Sequence, residues 1–179
     1  LQNAKDKRVV SRLTKILVAV TKTDIVNERG QRTLQEGNLN LLEAFEFNLN
    51  GKLGATLFAP FIKAFDRVSG DATLNLAAFS PTVRIAAPAG TTHFKIVMGA
   101  SELDFVNETS TFENDETAIL PYTVANTAAI ALTASITANS TFPVVQVLGV
   151  EFYQEVNGQM YSLKNGTYNA LSVTIIDKP

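Results

Sequence analysis

VVQVLGVEFYQEVNGQMYSLKNGTYNALSVTII, residues 144–176, decides the fold. Two Asn-Gly dipeptides, Asn157-Gly158 and Asn165-Gly166, separate three runs rich in Val, Ile, Tyr and Phe. Asn and Gly tolerate the positive φ of a type I′ turn, so each dipeptide predicts a tight hairpin and the stretch predicts a three-stranded antiparallel meander. Its first strand, residues 144–156, is apolar on both faces. Leu148, Val150 and Phe152 alternate with Val145, Val147 and Tyr153. Such a strand belongs at the centre of a sheet, covered on both sides.

Working outward, the same period of two recurs through most of the chain. Residues 39–49 alternate apolar and polar and read as a half-buried strand. A third turn dipeptide, Asn50-Gly51, leads into residues 53–59, and after Pro60 the pattern resumes in 61–68. Ser69-Gly70-Asp71 turns the chain into 72–79, and a short segment at 83–87 lies between prolines. Residues 92–99 form the next strand, with Leu103 and Phe105 in a short partner. Residues 107–116 are polar and acidic and read as a long loop. A short run at 119–122 and an alternating Ala/Thr segment at 127–138 complete the set. Only residues 3–22 show a clear helical period, with Val9, Val10, Leu13, Ile16, Leu17 and Val20 on one face. Many turn-punctuated strands with one good helix predict a mainly β protein, a two-layer antiparallel β-sandwich with an N-terminal amphipathic helix. Immunoglobulin-like packing is the first expectation and a jelly roll the second.

With 179 residues, 46% of them hydrophobic, the chain has material for one sizeable core. Cysteine is absent, which removes disulfides, thiolate metal sites and cysteine nucleophiles from consideration. The net charge of −2 conceals a split. Residues 1–32 carry eight basic and three acidic side chains, a balance of +5, which leaves −7 on the remainder. A polar connection over residues 23–37 divides a basic helical arm (1–37) from an acidic body (38–179). The exposed flank of the arm presents Arg8, Arg12, Lys15 and Lys22, the candidate partner-binding residues. The chain starts Leu-Gln without an initiator Met and reads as a fragment or a processed form.

The residues supply no catalytic, cofactor-binding or metal-ligating constellation, and a non-enzymatic protein without cofactor is expected. His93, the single histidine, has no partners at triad or zinc-site spacing and reads as a hydrogen-bonded or surface residue. Glu102, Asp104, Glu108, Glu113, Asp115 and Glu116 concentrate carboxylates without matching a Ca²⁺-loop pattern, and read as a solvated loop. Three Asn-x-Ser/Thr tripeptides, at Asn107, Asn139 and Asn165, are expected by chance in an Asn- and Thr-rich chain. The basic helix lacks aromatic neighbours for base stacking, which disfavours nucleic acid as a partner. No run reaches the length of a membrane span.

The segments LGVEFYQEVNGQMYSLKNGTYNALSV, THFKIV, NGKLG and RVVSRLTK resemble a group of uncharacterised Bacteroidota proteins over nearly the whole chain. The resemblance implies a bacterial origin and further Gly-rich, basic sequence upstream of Leu1; it brings no activity or site residue. The expectation is therefore a structural or assembly protein whose basic helical arm engages neighbouring subunits, as a homo-oligomer, or another acidic protein. The alternative is a bacterial surface module that binds carbohydrate or protein through loops at one end of the sandwich. An exported protein or part of a large assembly fits either expectation.

Overall fold

The computed structural model describes residues 4–179. Its central strand is β7 in chain order, Val144–Val156, with the bounds that its two-faced apolar pattern predicts. The others are β1 (Phe61–Asp66), β2 (Asp71–Leu76), β3 (His93–Asp104), β4 (Thr109–Glu116), β5 (Leu120–Pro121), β6 (Ile130–Ser135), β8 (Gln159–Ser162) and β9 (Ala170–Asp177). A small sheet has the order β1-β2-β6, and a large one runs β4-β3-β7, with β5 also on β3 and β8 and β9 both on β7. All pairings are antiparallel. The two sheets pack face to face as a β-sandwich. Between them lie Phe94, Ile96 and Met98 of β3, Leu148, Val150 and Phe152 of β7, and Leu74, Leu76 and Leu132 from the small sheet. Burying these apolar faces drives the two sheets together.

The meander prediction needs correction in its second half. Asn157 and Gly158 do take positive φ, 51° and 76°, and join β7 to β8. Asn165-Gly166 makes no hairpin. It lies in a 3-10 excursion, Leu163–Gly166, after which β9 returns to the edge of β7 that β8 has left. β8 and β9 are thus one interrupted strand. At the gap, buried Asn169 accepts the Phe152 N–H through Oδ1 at 3.0 Å, so a side chain satisfies a donor the ladder has vacated.

Other local expectations also change. Residues 39–49 are no regular strand. Leu39–Leu42 is a 3-10 turn, started by Asn38 Oδ1 accepting the Asn40 N–H at 3.1 Å, and it buries Leu39 and Leu42 together. Ala44 then takes φ 60°, after which the backbone runs beside β9 with Phe47 N donating to Leu171 O at 2.9 Å. Residues 53–59 begin as a helical turn, Leu53–Thr56, whose first N–H is held by the Glu46 carboxylate at 3.1 Å. Pro81–Arg84 is another such turn, with Pro at its start, where a missing N–H is harmless. Leu103 belongs to β3 rather than to a partner strand.

The helix, α1, spans Val9–Lys22 instead of residues 3–22; Asn3 lies outside the described residues. Its start is delayed because the preceding segment is pinned to the body. Asp6 N donates to Phe47 O at 3.1 Å, and the Asp6 carboxylate accepts from Arg8 N at 2.7 Å and Leu49 N at 3.0 Å. α1 packs on the outer face of its own large sheet. Val9, Leu13 and Ile16 sit against Phe45, Val147, Leu171 and Val173, while Val20 meets Leu39 and Leu42.

Candidate functional site

The apolar arc of α1 is wider than the surface that the other described residues cover. Val20 is buried and Val9, Leu13, Ile16 and Leu17 are half-buried, but Val10 is 73% and Val18 47% exposed. Beside Leu13 and Leu17 opens a groove of about 490 Å³ whose walls are almost wholly apolar. Leu13 and Leu17 form its helix side, Phe45 and Val147 its floor, and Phe105 and Phe112 its far side. Phe112 stands opposite Ser101 in the β3–β4 pairing, and therefore on the outer face of the sheet. A second depression of about 780 Å³ continues past Leu103 and Phe105 toward Arg32, Thr33 and Gln35. Monomeric proteins seldom leave so continuous an apolar surface without a partner.

The four predicted basic residues separate into two roles. Arg8, Lys15 and Lys22 are exposed on the solvent flank of α1. Arg12 turns inward. Its Nη1 donates to Glu46 O at 2.6 Å, and its Nη2 donates to Phe47 O at 3.1 Å and to the Asp6 carboxylate at 2.6 Å. The guanidinium also lies 5.0 Å from the centre of the Phe45 ring. Burial favours a raised Asp6 pKa, but the Leu49 and Arg8 N–H groups and the Arg12 guanidinium outweigh it and hold the carboxyl below its ordinary value. Arg12 is a clamp between helix and body.

The acidic stretch is a hairpin rather than a loop. Residues expected to be irregular form β4, whose Thr and Phe content favours the pleated conformation once β3 is alongside. Its carboxylates are divided between the two faces of the sheet. Glu116 pairs with Lys95 at 2.8 Å, Asp115 accepts from Thr133 N at 2.9 Å, and Glu102 is buried. No group of three His, Cys, Asp or Glu side chains converges on a metal-sized site among the described residues.

The turn of this hairpin shows a pattern that a direct search for repeated pentapeptides would have found. Asp104-Phe-Val-Asn-Glu108 repeats Asp24-Ile-Val-Asn-Glu28 of the arm connection. In both, the Asp Oδ1 accepts from the N–H of the Val and Asn, at 2.9 and 3.0 Å, and Oδ2 accepts from the Asn side chain. The first copy is buried and also receives Thr33 N at 2.9 Å. Burial tends to raise the Asp24 pKa, but these donors prevail and hold it far below the ordinary carboxylate value. Each loop leaves its Val exposed at the end of the molecule where α1 finishes and β3 turns into β4.

The remaining candidates are locally engaged. His93 Nδ1 lies 2.9 Å from Thr92 Oγ1, and its Nε2 lies 4.0 Å from Glu155. Tyr153 donates to Glu151 at 2.7 Å; burial first, then that carboxylate, raises its pKa above the ordinary phenol value. Tyr122 donates to Ile85 O at 2.9 Å, and Lys164 sits 5.2 Å from the centre of the Tyr168 ring. Among the described residues no helix is long and apolar enough to cross a membrane. The fold and its most prominent surface define a mainly β sandwich with a helix laid beside an open apolar groove. The chain matches no family model, no curated protein and no solved structure.

Proposed function

We propose that this is a non-enzymatic structural or assembly protein, and that the face built around α1 engages neighbouring subunits. The observation that carries the reading is an apolar groove, walled by Leu13 and Leu17 of α1, that the side chains of the described residues leave open, on a helix that also exposes Val10 and Val18. Continuous apolar surface of this kind is a property of interaction sites. The outward cations Arg8, Lys15 and Lys22 border the same face, against a body of opposite net charge, and complementary fields of this sort orient and speed association. The test is the mass of the particle in solution, by light scattering and sedimentation at modest salt. An oligomer whose population rises with protein concentration is expected. A strictly monomeric particle at high concentration overturns the reading.

A further inference from the structure

A cationic depression adjoins the apolar groove, and Lys5 lines both. The position of Lys5 is fixed by its neighbours. Ala4 is buried in the cluster of Phe45, Val147, Leu171 and Val173, and the Asp6 N–H is bonded to Phe47 O. Lys5 therefore stands at the boundary between the two cavities. Among the described residues that line the groove, Lys5 alone is charged, and Ser101, the other polar one, already donates to Thr111 O at 3.0 Å. The depression, about 430 Å³, is lined by Lys5, Lys7 and Arg8, with Asn50 and Asn165 beside them. Asp6 lines it too, but its carboxylate is engaged by Arg8 N, Leu49 N and the Arg12 guanidinium. Lys5, Lys7 and Arg8 form no ion pair among the described residues.

We propose that groove and depression together bind one single-chain amphiphile with a phosphate head, its chain in the groove and its head against Lys5, Lys7 and Arg8. A cavity of this size, apolar but for a few placed polar groups, is the usual form of a small-molecule site. A purely apolar ligand would leave the cations without a counter-charge, and a free anion would leave the groove in water. An anionic amphiphile answers both, and Lys5 marks where its head and chain join. Charge selects the head. A phosphate monoester carries about −1.5 to −2 and three acceptor oxygens, enough to meet several cationic donors at once, whereas a carboxylate brings a single charge. Apolar burial supplies most of the attraction, while the exposed cations fix orientation and weaken with salt. Val10 and Val18 line neither cavity, so a bound chain leaves them exposed to a neighbouring subunit. The site goes beyond the assembly reading and does not depend on it.

Isothermal titration calorimetry on the full chain compares decyl phosphate, decanoate, decanol and inorganic phosphate, each below any micelle concentration. Decyl phosphate should bind one to one, and at least about tenfold more tightly than each of the others. Shortening its chain by one methylene should weaken binding about fourfold. Lys5→Glu with Lys7→Glu changes exposed positions only, and should weaken decyl phosphate while leaving decanol unchanged. Phe112→Asp places a charge on the groove wall and should weaken both, with circular dichroism showing that each variant is folded. Decyl phosphate that binds no more tightly than decanol, inorganic phosphate or decanoate overturns the proposal. An oligomer that does not bind decyl phosphate overturns this site alone. A monomer that binds it keeps the site and overturns the assembly reading.

Discussion

Replacing Arg12 by alanine tests whether α1 is held to its own sheet by a side chain that the sequence places on a partner-binding flank. Arg12→Ala removes two bonds to backbone carbonyls, one bond to the Asp6 carboxylate and the contact over the Phe45 ring. Hydrogen bonds to a charged group contribute about 1.5–3 kcal/mol each, and a cation over a ring about 0.5–1 kcal/mol where it is exposed. Simple addition overshoots. The Arg12 side chain is 23% exposed, and water can reach the vacated acceptors at the rim. A net cost of about 2–4 kcal/mol is the appropriate scale. If helix and body unfold together, melting falls by roughly 4–16 °C, at about 2–4 °C per kcal/mol for a chain of this size. If α1 opens on its own, the loss appears first in amide exchange: α1 exchanges roughly 30- to 1,000-fold faster, at tenfold per 1.4 kcal/mol, while β7 keeps its protection. Arg12→Lys keeps the charge but not the planar fork and should fall between. Lys15→Ala, on the exposed flank, should stay within about 0.5 kcal/mol of wild type. Equal protection of α1 in Arg12→Ala and Lys15→Ala would refute the clamp.

Other perturbations probe the remaining layers. Phe152→Ala, in the core between the sheets, should cost about 3–5 kcal/mol in denaturant titration, because the rigid faces cannot close over the cavity. Gly149→Ala should destabilise through backbone, since a Cβ there would stand 2.6 Å from Ala170 O; it should raise exchange in β9 more than in β4. Gly158→Ala has open space around it, so its cost is the left-handed conformation alone, about 1–2 kcal/mol by chemical denaturation. Acid should release the helical layer first. The carboxyls of Asp6 and Asp24 are held below their ordinary value, so their stabilisation is complete above about pH 4 and is lost as pH falls through the lowered folded value. Exchange measured between pH 5 and 2 should show α1 and the connection opening before β7; simultaneous loss would contradict this order.

Where two faces of a segment carry the same message, the sequence was decisive. β7 is apolar on both sides, and no other placement buries both, so its bounds and centrality could be read directly. Asn157-Gly158 was equally legible, because a positive φ is a local property of the two residues that adopt it. Asn165-Gly166 has the same local chemistry, and its Asn takes φ 52°, yet no hairpin forms, because β9 continues along β7 instead of pairing with β8. The alternation in residues 39–49 likewise fitted a strand, but a 3-10 turn buries Leu39 and Leu42 beneath Val20 just as well.

The candidate surface divides in the same way. The sequence by itself determined a mainly β chain with one amphipathic helix, and a charge split between them, because periodicity and net charge are written along the chain. Tertiary structure alone decided that Arg12 points inward, that residues 107–116 form mostly strand, and that the groove exists at all. Each depends on what lies opposite: Arg12 on the carbonyls of Glu46 and Phe47, β4 on the edge of β3, and the groove on a helix whose apolar arc is broader than the sheet it covers.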